Sequence, residues 1–318
     1  MSSRLLFCLI LLFFCTQICC DEIYQTEDDR TRYQATHSRC LGRYCGRKYE
    51  DKMVTTEVCG KCERGSKTDG WVCLPCEDVP TRYEWCYLIF VFMLPCGING
   101  SIIILTSKIM KDRIVLIISS FFEAAIAFLF TLLSFNPKGN LKIYTCNVDQ
   151  FSDWFPTFYN PPNYHCSSEK VYPFWTFFLL FYLYLLGLIL LFRFILKKVF
   201  QLQSMTTLML RTLHPIPFLL ILQVLFGGLI YYFFPYLLLF IGACLDLYFH
   251  ITNNLISTIN ITTYFFRYSL LFFSLFSITQ QYDLTDNLYL IFDFVAPLLF
   301  AGYYYLTKPL TKPEKWMD

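Results

Sequence analysis

FWTFFLLFYLYLLGLILLFRFILKK, from Phe174 to Lys198, decides the class of this protein. About 20 consecutive apolar residues is the length that crosses the hydrocarbon of a bilayer. Between Phe174 and Leu196 the only charge is Arg193. The entry is marked by Pro173 and by the aromatics Tyr172 and Trp175, suited to the headgroup belt, and the exit by Lys197 and Lys198 with no acid beside them. Arg193 stands one turn inside that basic end and is expected to snorkel towards it. The segment therefore reads as a transmembrane helix with its N-terminus outside or in a lumen and its C-terminus in the cytosol. The stretch before it, FSDWFPTFYNPPNYHCSSEKVYP (Phe151 to Pro173), is dense in aromatics and proline, which favours turns and extended chain with rings lying in the membrane interface.

The rest of the chain has the same character. Of 318 residues, 56% are hydrophobic and only 16% charged, against about 25% charged in soluble domains. A net charge of +2, without a dense basic patch away from the membrane flanks, argues against a nucleic-acid partner. The expected fold is an all-α polytopic membrane protein with a small N-terminal Cys-rich lumenal module. It would have about seven transmembrane helices, at 87–105, 114–135, 174–196, 216–234, 236–251, 264–281 and 287–306. The fourth and fifth are separated by a turn expected at Pro235. Arginine and lysine set the orientation: Lys108, Lys111, Arg113, Lys197, Lys198, Arg211, Lys308, Lys312 and Lys315 fall on one side, and Lys138, Lys142 and Lys170 on the other. That places the N-terminus in the lumen and the tail at 307–318 in the cytosol.

Besides Arg193 and Arg267, three acids and a histidine fall within the expected spans. Glu123 is near the middle of the second, Asp246 and His250 are spaced i, i+4 at the end of the fifth, and Asp293 is in the seventh. Intramembrane charge is costly and points to function by default. Two readings follow, a proton-carrying role and a plain structural one in which Glu123 hydrogen-bonds among helices and the others are solvated by headgroups. Between Lys197 and His214, Leu202, Met205, Met209 and Leu213 recur at helical spacing. They predict an amphipathic helix on the cytosolic leaflet or a docking helix for a partner.

At the N-terminus, Arg4 and the run LLFCLILLFFC resemble a signal peptide over 1–20, cleaved or kept as a signal anchor. The polar segment 21–85 follows, charged and without apolar periodicity up to Ser38. Its module at 40–76 carries Cys40, Cys45, Cys59, Cys62, Cys73 and Cys76. So short a piece needs staples. Three disulfides would serve in an oxidising lumen, with fifteen connectivities open. In a reducing compartment, Cys59, Cys62, Cys73 and Cys76 could instead hold zinc. Cys146 and Cys166, in the loop between the second and third spans, either pair with each other or are buried thiols. No βαβ pattern surrounds either CxxC, so redox catalysis is not read from them. No Walker A, GxSxG or HExxH pattern is present, and no cofactor is expected.

Four blocks of the chain resemble the family of Jun N-terminal kinase (mitogen-activated protein kinase)-associated membrane proteins. They are CLGRYCG with CGKCERGSKTDGWVCLPC (Cys40 to Cys76), YEWCYLIFVFMLP (Tyr83 to Pro95), SDWFPTFYNPP with HC and VYP (Ser152 to Pro173), and LQVLFGGLIYYFFPY (Leu222 to Tyr236). They stand in family order and cover most of residues 40 to 236; ITNNLISTINITT, from Ile251, replaces a basic connection of the family. The resemblance implies a non-enzymatic endoplasmic reticulum adaptor in the degradation of misfolded proteins. Its implied partners are proteasome subunits, a membrane ubiquitin ligase and Jun N-terminal kinase, reached through Lys197 to His214 and the tail from Lys308. A seven-helix cell-surface receptor with a Cys-rich ectodomain and a proton-coupled transporter are the alternatives the residues leave open.

Overall fold

The computed structural model describes residues 38–50, 53–54, 58–107, 110–135, 139, 141–148, 150–155, 166–200, 205–252 and 261–282, with 291, 295 and 299. Two compact units result, one from the described residues of Met1–Arg82 and Ile143–Phe174, the other from those of Tyr83–Lys142 and Trp175–Asp318. The expected signal segment at 1–20 and the tail at 307–318 lie outside the described residues.

The first unit is built from very short strands. They are β1 (Cys45–Gly46), β2 (Tyr49–Glu50), β3 (Met53–Val54), β4 (Gly60–Lys61), β5 (Ser66–Thr68) and β6 (Cys73–Pro75). They pair antiparallel as β1–β4, β2–β3 and β5–β6, with Cys45 opposite Lys61, Tyr49 opposite Val54 and Thr68 opposite Cys73. A parallel bridge between Arg47 and Val72 extends β1 towards β6. There Arg47 N–H donates to Trp71 O (2.9 Å) and Cys73 N–H to Arg47 O (2.8 Å). The crossing is so close that a Cβ at Gly46 would come within 2.9 Å of Cys73 Sγ and of Thr68 Oγ1, so only glycine fits. Beside it, Gly70 takes a left-handed φ of +96°, and Asp69 Oδ1 accepts from the N–H groups of Trp71 and Val72 to close the turn.

Ladders this short do not hold themselves together. Their core comes in part from the distant segment. The single-turn helix α3 (Phe151–Trp154) buries Ser152, Asp153 and Trp154, and the Trp154 ring stacks on Phe174 with centroids 6.5 Å apart. This corrects the expectation that the SDWF aromatics all lie in the membrane interface: the tryptophan fills the unit's interior instead. Residues 156–165 lie outside the described residues.

The second unit is helical: α1 (Arg82–Thr106), α2 (Met110–Ser134), α4 (Tyr172–Phe200, which starts in the first unit), α5 (Met205–Leu213), α6 (Pro215–Thr252) and α7 (Ile261–Gln281). Among the described residues four segments are long and apolar enough to cross a membrane: Arg82–Thr106, Lys111–Ser134, Tyr172–Lys198 and Leu210–Cys244. The first and third contain the expected spans one and three, and the second covers the expected span two except for Phe135. The fourth and fifth, by contrast, both fall in α6, two helical stretches that join at a kink. α6 runs through Pro235 without the expected turn, and its irregularity lies at Phe226 (φ −120°, ψ 17°), just before Gly227-Gly228. The seventh expected span lies outside the described residues except for Ile291, Val295 and Leu299.

Pro235 stays inside α6 for a physical reason. Proline has no N–H for the carbonyl four residues back, and in hydrocarbon that carbonyl must find another donor. The orphan is the Tyr231 carbonyl, and the Tyr83 hydroxyl of α1 donates to it. Rings reinforce the contact: Tyr83 and Tyr87 both meet Tyr231 edge-on, at 5.1 and 5.0 Å between centroids. α7 then packs antiparallel on α6. Gln281 Nε2 donates to Tyr232 O (3.4 Å), Ser274 Oγ to Pro235 O (2.8 Å), and Leu271 fits against Gly242.

Tyr83→Phe is therefore expected to destabilise the protein by about 1–3 kcal/mol, the cost of an unsatisfied buried carbonyl. In a Pro235→Ala background, which restores the helical N–H, the same change is expected to cost far less. Thermal unfolding of the detergent-solubilised protein reads both; equal losses in the two backgrounds would show that the hydroxyl does not serve the orphaned carbonyl.

Candidate functional site

Two constellations bear chemistry, one in each unit. In the first, all eight candidate cysteines are in disulfides: Cys40–Cys59, Cys45–Cys166, Cys62–Cys73 and Cys76–Cys146. Two bonds stay inside the 40–76 module, and two reach the loop after α2. The expectations of a self-contained three-disulfide module and of a Cys146–Cys166 pair are thus both corrected. The physical reason is packing: the loop contributes Trp154, Val148 and Ile143 to the buried interior, which brings its two cysteines to the module. The zinc alternative is corrected too. Cys59, Cys62, Cys73 and Cys76 enter three different disulfides, and a disulfide sulfur has no thiolate to offer a metal. Among the described residues Cys86, Cys96 and Cys244 are free thiols.

Charge in this unit is arranged in pairs. Lys61 Nζ is 2.9 Å from Glu169 Oε1, and Lys170 Nζ is 3.5 Å from the buried Asp153 carboxylate. Lys48, 2.7 Å from Glu63, holds that exposed carboxyl below its ordinary range by hydrogen bonding and charge. Burial pushes the Tyr44 phenol above its ordinary value.

The second constellation is inside the helices. Glu123 of α2 and Arg193 of α4 are both fully buried, with Nη2 3.4 Å from Oε2. Ser119 Oγ, one turn before Glu123, donates to its Oε1 at 2.7 Å. Arg193 Nη1 donates to Thr212 Oγ1 on α5, and that hydroxyl donates onward to Leu208 O at 2.9 Å. Arg193 Nε is buried without a partner. The snorkelling expectation for Arg193 is overturned. α4 continues to Phe200, so Arg193 stands about two turns inside the helix end rather than one, and α5 supplies a nearer acceptor than water does.

α5 buries one face. Leu208 and Thr212 point inward, Leu208 against Ile103 and Leu116, while Leu210 is 53% exposed. The helix is docked on its neighbours rather than lying free on a leaflet. The side chains of Met205 and Met209, like Leu202, lie outside the described residues. So do Asp293 and the side chains of Asp246 and His250, although α6 carries the backbone of the last two. The partnership of Glu123 with Arg193 had a signal in the sequence, an acid and a base in neighbouring spans; the role of Thr212 had none.

Chemically, the intramembrane site is a closed tie. The carboxylate accepts from a hydroxyl and a guanidinium, and the guanidinium fastens α5. Glu123→Gln should leave the Arg193 charge buried and uncompensated, destabilising by roughly 3–5 kcal/mol. Adding Arg193→Gln should recover more than half of that loss, read as the midpoint of thermal unfolding in detergent. Additive losses would exclude the tie. The disulfide pattern has its own readout. A protease site placed between Phe135 and Lys142 should yield two fragments that stay joined on a non-reducing gel and separate on reduction. Separation without reductant would mean that Cys146 and Cys166 do not reach the module.

Comparison with known proteins places this arrangement. A family model described as JNK1/MAPK8-associated membrane protein matches residues 40–313, beyond the region carrying the recognisable blocks. The JNK1/MAPK8-associated membrane protein of Homo sapiens is 32% identical over 301 residues, 87% of this chain and 94% of that protein. The protein of the same name in Mus musculus is 36% identical over 218 residues, 63% of this chain and 69% of the relative. A Caenorhabditis elegans homolog is 26% identical over 236 residues, 67% and 72% of the two chains. No solved structure matches. With both units inside the matched region, this membrane protein belongs to the JNK1/MAPK8-associated membrane protein family.

Proposed function

We propose that the chain is an endoplasmic reticulum membrane adaptor in the degradation of misfolded proteins. It gathers proteasome subunits and a membrane ubiquitin ligase at the membrane surface and binds Jun N-terminal kinase, the association carried in the names of its relatives. The observation that carries this reading is the family match from residue 40 to 313, which takes in the disulfide-bonded unit and the apolar helices together. Two structural facts support it. Four disulfides suit a unit that faces an oxidising compartment. In the helical unit, Arg211 and Leu210 of α5 and Lys197 and Lys198 near the end of α4 are exposed, a basic and apolar set that suits a partner surface.

In this reading the chain crosses the bilayer several times, with its N-terminus lumenal and its C-terminus cytosolic. The partner surfaces are Lys197 to His214 and the tail from Lys308. The chain does its work by holding other proteins, not by an enzymatic reaction.

Mild-detergent affinity purification of the tagged protein under folding stress tests it, with partners identified by mass spectrometry. Proteasome subunits and a membrane ubiquitin ligase are expected, and both should be lost on deleting the tail from Lys308 or scrambling Lys197 to His214. Absence of both partners, with the protein at the plasma membrane, would overturn the adaptor reading in favour of a receptor.

A further inference from the structure

Two stripes of exposed side chains on the helical unit each run from a lysine into an apolar span. On α2, Lys111 is followed at i+3, i+7 and i+11 by Ile114, Ile118 and Phe122, which are 54%, 50% and 56% exposed. On α4, Lys198 is preceded at i−4 and i−7 by Phe194 and Leu191, 53% and 55% exposed. Those spacings put each set on one face of its helix. The two helices are neighbours: Phe122 meets Phe192 edge-on with centroids 5.8 Å apart, one residue before the Glu123–Arg193 pair. At the helical rise the stripe on α2 is about 16 Å long.

Both lysines stand at one end of the unit, beyond the layer that Ile103, Leu116 and Leu208 form with Leu196. A third cation, Arg211 of α5, is brought to the same end by Thr106, whose hydroxyl accepts from its Nη1 at 3.4 Å. The groups that hold these cations are uncharged: Lys198 Nζ lies over the Phe194 ring at 4.8 Å, and Arg211 meets a hydroxyl. Positive charge is thus kept at the edge of the apolar surface without being neutralised. Among the described residues of 104–116, 193–200 and 205–216, Asp112 is the one acid, against Lys111, Arg113, Lys197, Lys198 and Arg211.

Head and tail of the ligand follow from this layout. A free anion would use the cations and leave the stripes, and a neutral apolar molecule would do the reverse. An acidic protein surface would meet the cations from the water side and leave the stripes, which run into hydrocarbon. A phosphate at the end of an acyl chain matches both, because one leaflet is half of a hydrocarbon core about 30 Å thick, close to the length of the α2 stripe. We propose that this end of α2 and α4 selects anionic phospholipids. The headgroups lie at Lys111, Lys198 and Arg211, and the acyl chains run along the two stripes. Lys198 and Arg211 also belong to the surface assigned to partners. Purified protein holds no partner, so lipid selection and the adaptor reading fail in different experiments.

The test uses electron spin resonance of spin-labelled phospholipids with the full-length protein reconstituted in phosphatidylcholine vesicles; the motionally restricted fraction reads the lipid held on the helices. Labelled phosphatidylserine is expected to associate about fivefold more strongly than labelled phosphatidylcholine, the scale set by cations near an anionic headgroup. The preference should shrink in about 1 M salt, where the Debye length is about 3 Å. Lys111→Gln, Lys198→Gln and Arg211→Gln together should bring the two lipids close to parity. All three side chains are exposed, so the variant should keep its melting midpoint in detergent. If it does not, Lys198→Gln alone is read, and it should lower the preference by a measurable part. Removing equal charge at the exposed Arg64, Arg82 and Lys142, each to Gln, should leave the preference unchanged. Equal association of the two lipids, a preference that survives the triple change, or one that the control set abolishes equally would overturn the proposal. Loss of the preference in millimolar inorganic phosphate would overturn it too, because the cations would then form a plain anion site.

Discussion

The guanidinium of Arg193 is surrounded by helices and has no water to turn to. A charge in that position is tolerated only when its surroundings compensate it, because removing an ion from water costs several kcal/mol even after relaxation. Here compensation comes from three pieces of chain. α2 supplies Glu123 and, through Ser119, a donor for its second oxygen; α5 supplies Thr212. The arrangement fixes the rotation of α2 and α4 about their axes, since each must turn its buried charged residue towards the other. It also fixes α5, whose Leu208 then fills the space between Ile103 and Leu116. A short connection that could have floated at the membrane surface becomes part of the helical body.

The same rule, that hydrocarbon leaves no polar group to solvent, explains α6. A proline in the middle of a transmembrane segment orphans one carbonyl, and the chain must either turn there or bring a donor. Tyr83 brings it from α1. Gln223 answers in kind by donating from α6 to the Tyr87 hydroxyl, one turn further along α1. Two side-chain hydrogen bonds and a cluster of edge-on rings thus set the register of α1 against α6. Polar contacts serve as the specific element here because apolar surface alone gives helices in lipid little reason to choose one partner.

How far the residues announced this varies with the range of the interaction. The apolar runs at Tyr87, Ile114 and Phe174 were legible as helices because length and hydropathy are local properties. The eight cysteines were legible as a set, but their partners were not: Cys45 bonds a residue 121 positions away, and Cys76 one 70 away. Pro235 read as a turn because the donor to its orphaned carbonyl, Tyr83, is 148 positions upstream of Tyr231. Trp154 read as an interfacial anchor because nothing near it in sequence shows the module it enters. In each case the local rule was sound and a distant contact outweighed it.

The long disulfides carry a topological consequence. Cys76 precedes α1, Cys146 follows α2, and a bond between them puts both on one side of the bilayer. The chain between them therefore crosses an even number of times, which two apolar helices satisfy and one or three would not. Neither long bond can close until α1 and α2 have both been inserted and the second segment has emerged beside the first. The disulfide unit is therefore completed only after the first helical hairpin is in place.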